Sequence, residues 1–219
     1  MSERLLLTIL TDKTSWMNKY SNILKEKLVE LGHIVKIIHS KRDLSKGNIA
    51  FFLSCFEIIP QSYLDLNEHN IVVHESNLPQ GKGWSPLSWQ ILEGKNEIPI
   101  VLFEATTELD SGGIYYKDTI KLTGTELIDE WRDIQGRKTI EMCLRFVAEY
   151  KSIVPKKQSG KESFYMRRCP NDSELSIEKN LEQQFNLLRI CDNERYPPFF
   201  YYKGERFVLT IKKDKENHR

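Results

Sequence analysis

What the sequence has little of sets its outer limits. No apolar run approaches the roughly 18 consecutive residues that a membrane span requires. The amino terminus enters the apolar run Leu5–Leu10 at once, without the charged, apolar and small-residue zones of a signal peptide. A cytoplasmic location is expected from these two absences. Cysteine is scarce: Cys55, Cys143, Cys169 and Cys191 stand far apart and match no Cys-x-x-Cys or zinc spacing. They read as reduced thiols, with no metal site and no disulfide framework. An excess of one charge is missing too, since Lys+Arg 32 against Asp+Glu 31 leaves a net +1 and no electrostatic case for nucleic acid. No Gly-x-Gly-x-x-Gly follows the first apolar run, and Gly83 stands where a P-loop beginning at Gly81-Lys82 needs Ser or Thr. Dinucleotide and Walker sites are therefore excluded as motifs.

What is present is an alternation of strand and helix signals. Leu5–Leu10, Ile34–His39, Ile49–Leu53, Ile71–Val73, Ile98–Phe103 and Ile114–Leu122 read as strands. Met17, Tyr20, Leu24, Leu28 and Leu31 recur at helical spacing before Gly32, and Pro60–Leu66 reads as a short helix. Ser85-Pro86 reads as a capped helix start and Thr123-Gly124-Thr125-Glu126 as a capping box. The box leads into a long helical pattern from Leu127 to Val147, where Gly136 predicts a kink or two helices. The fold class is α/β: a Rossmann-like, mostly parallel twisted sheet with flanking helices. Residues 1–150 form the main domain. The Lys-rich stretch 151–163, broken by Pro155 and Gly160, reads as a linker. Residues 164–219 read as a small α+β subdomain, with a helix from Ile177 to Cys191, a hairpin near Tyr201–Leu209 and a frayed end at Lys212–Arg219.

One stretch carries chemistry. His74 is the first polar side chain at the carboxyl end of the Ile71–Val73 strand, and in open α/β sheets ligands sit at that edge. The Ile98–Phe103 strand is expected to end at the same edge, in Glu104 and the turn Leu109-Asp110-Ser111-Gly112-Gly113. His74 and Asp110 then face one crevice as a general base and its orienting partner. A lone histidine after a strand is more often structural and a Leu-Asp-x-Gly is an ordinary turn, so spacing alone leaves the choice open.

The stretch resembles the catalytic core of the 10-formyltetrahydrofolate-dependent formyltransferases, the family of glycinamide ribonucleotide transformylase, methionyl-tRNA formyltransferase and sugar N-formyltransferases. The resemblance rests on His74, Ser76, Leu78, Pro79, Gly83, Pro86, Leu109, Asp110 and Gly112, in order and with fitting gaps. It implies the formyltransferase fold, no metal, and 10-formyltetrahydrofolate as cofactor with tetrahydrofolate as product. It also implies catalysis by His74 and Asp110. The family's catalytic asparagine falls on Val72, which can neither donate nor accept a hydrogen bond. Asn77, the nearest amide in the loop, is the expected substitute, beside an imidazolium or a backbone N–H. By carry-over, Glu75, Ser76, Asn77 and Leu78 are cofactor-binding, with Phe56 and Ile58 in the segment that receives the pterin ring.

Acceptor candidates on the same grounds are Lys82 and Trp84 in the loop and Arg189 in the helix after the Arg167-Arg168-Cys169-Pro170-Asn171-Asp172 run. That run resembles the segment following the core in sugar and tRNA enzymes. A guanidinium suits phosphate oxygens, while a surface ion pair remains the alternative for Arg189. The 56 residues after the linker fit the shorter sugar enzymes better than the larger carboxyl-terminal barrel of the tRNA enzymes. The wording His74-Glu75-Ser76-Asn77-Leu78-Pro79 through Trp89 resembles the subset beside bacterial surface-sugar pathways such as pseudaminic acid synthesis. The expected reaction is formyl transfer to a nucleotide-linked amino sugar, such as a UDP-linked 4-amino-4,6-dideoxy sugar. Partners are then this sugar and folate, without nucleic acid or membrane, in a monomer or a homodimer. A tRNA formyltransferase, a formyltetrahydrofolate hydrolase and a non-catalytic binding descendant are the alternatives.

Overall fold

The computed structural model describes residues 3–214; part of the expected frayed end, 215–219, lies outside them. In chain order the elements are β1 (Leu6–Leu10), α1 (Asn18–Glu30), β2 (Ile34–Ile38), β3 (Gly47–Phe52), α2 (Gln61–Leu64), β4 (Asn67–His74) and β5 (Lys82–Gly83). There follow α3 (Pro86–Leu92), β6 (Glu97–Glu104), β7 (Ile114–Lys121), α4 (Ile128–Glu149), β8 (Phe164–Tyr165), α5 (Phe185–Ile190), β9 (Phe199–Tyr202) and β10 (Glu205–Val208).

Six strands form the main sheet in the order β2-β1-β3-β4-β6-β7. The first four are parallel, and β6 then runs antiparallel to β4, with β7 antiparallel to β6. Both faces of the central strands are apolar, as a sheet covered on both sides requires. Leu7, Ile9, Ile49, Phe51 and Ile71 pack into the core shared with α1 and α4. Leu10, Ala50 and Phe52 point the other way, onto Leu44, Ile59 and Leu64. Tyr20 of α1 lies against Gly136 of α4 so closely that a Cβ there would stand 2.4 Å from the ring. Gly136 is thus a helix-crossing position, and α4 runs through it unbroken instead of kinking.

Several expectations need correction. Ser85 has a φ of 50° and makes no capping hydrogen bond, so Pro86 alone opens α3. Glu126 does accept from the Thr123 N–H, at 2.7 Å, but the helix starts after Leu127, whose N–H donates to Glu130. The helix expected from Ile177 shrinks to α5. Lys213 is tied to Glu130 at 2.7 Å rather than frayed.

The 151–163 stretch does not behave as a linker. Lys156 bridges Ile114 at the edge of the sheet, Gln158 and Ser163 bond the loops at His74, and β8 pairs with β5 in parallel. Further along, Ile190 of α5 is fully buried in the main core. Besides the two-stranded β5–β8 sheet, the β9–β10 hairpin forms a separate two-stranded sheet.

Candidate active site

β4 delivers His74 to the crevice, with its ring edge-on to Phe103 at 6.5 Å. Nε2 lies 2.8 Å from the carbonyl oxygen of Gly81. A carbonyl only accepts, so Nε2 carries the hydrogen and the neutral ring keeps its lone pair on Nδ1. That nitrogen has no hydrogen-bond partner among the described residues. Asp110 Oδ2 stands 3.8 Å from the same Nε2, with both side chains buried, and accepts the Gly83 N–H at 2.9 Å. The carboxylate thus lies beside the ring nitrogen opposite the base, as expected, but at 3.8 Å makes no hydrogen bond to it: the Gly81 carbonyl fixes the tautomer, and Asp110 supplies negative charge beside it.

Asp110 arrives by a different route from the one expected. Because β6 is antiparallel to β4, His74 is opposite Val101, and Glu104 lies back beside Ile71. The loop 105–113 doubles back to bring the carboxylate to the histidine. Gly112 makes this reversal feasible, since a Cβ there would fall 1.6 Å from the Glu104 carbonyl oxygen. Asp110 itself sits at φ 48°, a left-handed conformation that Asp tolerates better than most residues. Gln158 holds it there, its amide donating to the carbonyls of Asp110 and Gly112 at 2.9 and 2.8 Å.

A cavity of about 670 Å³ opens over this pair. Its inner wall is Phe52, Val72, Phe103 and Leu109, its rim includes Phe56 and Ile58, and its far side is the Trp131-Gln135-Thr139 face of α4. Phe56 and Ile58 are 55% and 58% exposed. Glu75 and Trp84 also line it. The remaining expectations fail on geometry. Asn77 is exposed, away from the cavity, with its side chain taken by Lys117 at 3.1 Å, so it does not replace the amide missing at Val72. Ser76 and Leu78 are buried beneath the loop, Leu78 against Val101, Phe103 and Ile114, and neither lines the cavity.

Lys82 is also turned away, its buried ammonium held by Ser111 at 2.8 Å and Glu162 at 2.5 Å. Arg189 is 1% exposed, bound to Glu126, Asn96 and Asn186. It holds α5 to the core and reaches no ligand. Four arginines line the cavity, Arg132, Arg167, Arg168 and Arg195. Arg168 donates to Ile190 O, Asp172 O and Ser173 Oγ and forms no ion pair among the described residues, and burial lowers its pKa. Arg132, by contrast, is paired with Asp192 at 3.0 Å. Cys55, also on the wall, is pushed up to about 11 by burial. Its thiol stays protonated and offers no ready nucleophile.

Comparison with known proteins fits this geometry. Residues 36–135 match the family model described as "Formyl transferase". Among curated relatives, methionyl-tRNA formyltransferase of Malacoplasma penetrans is 24% identical over 172 residues, 75% of this chain and 54% of its own length. The chain thus spans about half the length of the curated relatives it matches.

Among solved structures, methionyl-tRNA formyltransferase from Clostridium thermocellum superposes with a TM-score of 0.79 at 26% identity, covering 96% of this chain and 94% of that one. A 4-N formyltransferase from Francisella tularensis gives 0.71 at 15% identity, covering 96% and 98%. HypX from Aquifex aeolicus, solved with tetrahydrofolic acid, gives 0.80 at 16% identity, covering 95% and 38%. The fold is that of the formyltransferases. Among the described residues no helix is long and apolar enough to cross a membrane.

Proposed function

We propose that the chain transfers a formyl group from 10-formyltetrahydrofolate to the amine of a nucleotide-linked amino sugar. The observation that carries the reading is the buried His74–Asp110 pair at the wall of one large cavity, built on the family's own motif. The cavity fits the cofactor: Phe56 and Ile58 offer an exposed apolar surface for a flat ring, continuous with Val72 and Phe103 inside. Arg168, a cation on the wall without a counter-ion among the described residues, suits the phosphates of a nucleotide. Ser76, Leu78, Lys82 and Arg189 have no part in it.

When bound, the cofactor supplies an activated one-carbon unit at the formyl oxidation level. An attacking amine needs its lone pair, so its extra proton must leave. Nδ1 of His74, left with its lone pair because Nε2 carries the hydrogen bonded to Gly81, receives that proton. The imidazolium so formed is stabilised by Asp110 3.8 Å away. With valine at position 72 and Asn77 outside the cavity, the protonated ring is also the donor left beside the developing oxyanion. Loss of one such donor slows enzymes by roughly a hundred- to a thousandfold, which makes a slow turnover the expected behaviour.

The test is incubation with 10-formyltetrahydrofolate, with and without a panel of nucleotide-linked amino sugars, following cofactor loss and product mass. Sugar-dependent loss that disappears in H74A and D110N supports the proposal; loss without any amine would make the chain a hydrolase. The second reading, a methionyl-tRNA formyltransferase, is favoured by the sequence relatives and opposed by the nearly balanced charge. Formylation of methionyl-tRNA in the same assay would replace the sugar by tRNA.

A further inference from the structure

Glu75 occupies an unusual place. It directly follows His74, lines the same cavity, and is 8% exposed. Its backbone carbonyl is clamped by Gln90 Nε2 at 2.6 Å, so its position is fixed from α3. Gln135 of α4 hydrogen-bonds its carboxyl, and no lysine or arginine among the described residues pairs with it. A carboxyl group offers about four acceptor sites, and the Gln135 amide and the residue's own backbone N–H satisfy only part of them. A buried acid without a cation is costly to ionise, and burial raises its pKa accordingly. His74 and Asp110 act on it directly, and neither is a permanent cation. The same cavity is lined by Asp12, Glu57, Glu108 and Asp192 and by Arg132, Arg167, Arg168 and Arg195, and among the described residues none of these arginines pairs with Glu75.

We propose that Glu75 is the specificity-determining residue for the acceptor's amine, its carboxylate receiving the N–H bonds of the incoming ammonium beside His74. The proposal rests on the amine-acceptor reading above. Its proton balance is simple. The acceptor arrives as an ammonium and pairs with the Glu75 carboxylate, and whatever proton the carboxyl holds in the empty cavity goes to solvent as the ion pair forms, or passes to an amine that arrives neutral. One N–H proton then passes to Nδ1 of His74, and the neutral amine keeps its lone pair while another N–H remains bonded to Glu75. A hydroxyl in place of the amine cannot form the ion pair, so the site rejects the hydroxy sugar.

The experiment measures binding of a UDP-linked 4-amino-4,6-dideoxy sugar and its 4-hydroxy analogue to the full chain and to E75Q. Calorimetry in two buffers of different ionisation enthalpy gives the proton balance. The wild type is expected to prefer the amine by roughly ten- to a hundredfold, the range of a charge-assisted hydrogen bond in a buried site. E75Q, nearly isosteric and without charge, is expected to lose that preference and the buffer dependence, with its melting temperature retained. An amine preference unchanged in E75Q overturns the proposal.

If neither sugar binds the wild type, the acceptor class is what fails, and a probe of the cation alone still decides about Glu75. Its carboxyl carbon resonance, assigned by its loss in E75Q, is expected to move to the ionised position with methylammonium chloride and not with potassium chloride. Equal responses to the two salts overturn the proposal.

Discussion

Arg189→Ala separates a structural arginine from a ligand-binding one. The guanidinium makes four interactions: Nη2 with Glu126 Oε2 at 3.4 Å, Nε with Glu126 O at 3.3 Å, and Nη1 with Asn96 and Asn186 at 3.2 and 3.0 Å. All lie inside the protein, joining α5 to the β7–α4 connection. Breaking a buried pair costs about 3–5 kcal/mol, because the surviving charge is left uncompensated. Here Glu126 keeps its bonds from the Thr123 hydroxyl and the Thr123 and Gly124 N–H groups, so the cost falls at the lower end, about 3 kcal/mol. Urea unfolding of the wild type and the variant reads this loss as a lower midpoint. Steady-state kinetics at a temperature where the variant is still folded should give an acceptor KM within about twofold of the wild type. An unchanged midpoint with a raised KM would refute the reasoning and return Arg189 to the substrate site.

Gln158→Ala removes two hydrogen bonds that hold the left-handed Asp110 turn; each is worth about 0.5–1.5 kcal/mol. The expected result is a stability loss of about 1–2 kcal/mol, seen in thermal melts, with a fall in kcat at little-changed acceptor KM. Acid unfolding reports on Glu126. Burial by itself would raise its pKa, but the bonds from Thr123, its own N–H and Gly124 outweigh that and pull it from 4.5 to about 2. The folded value lies below the unfolded one, so this stability is fully present above about pH 4.5 and is lost as pH falls toward 2. At about 1.4 kcal/mol per pH unit the interval contributes about 3 kcal/mol. Stability curves over that range should be flatter in E126Q.

The strands, the long helices and the identity of the His74–Asp110 pair were readable because each depends on local pattern: period-two apolar runs, helical spacing, a motif with fixed gaps. Strand direction was not. Ile98–Phe103 carries the same apolar signature whichever way it runs, and only pairing with β4 reveals the reversal that makes the 105–113 loop necessary. The same limit explains the side chains that went elsewhere. Lys82 and Arg189 look like anion binders in sequence, but the partners that bury them, Glu162 and Glu126, lie 80 and 63 residues away. Lysine-rich, Pro- and Gly-broken composition reads 151–163 as a linker, because it cannot report that Gln158 and Ser163 bond the loops at Asp110 and Gly81. Glu75 was legible as a position and not as a chemistry, because its isolation from cations exists only in the folded cavity.

The pairing of β5 with β8 couples the timing of assembly to the order of synthesis. Lys82 and Gly83 bond to a strand centred 82 residues later, and the Gly81 N–H is bonded to Ser163. A nascent chain halted on the ribosome at residue 150 therefore owns the whole main sheet and both members of the His74–Asp110 pair, but not the backbone clasp around them. Such an intermediate lacks the partners that pin Gly81, Lys82 and Gly83 beside His74, and that clasp closes only after residues 163–165 have been made.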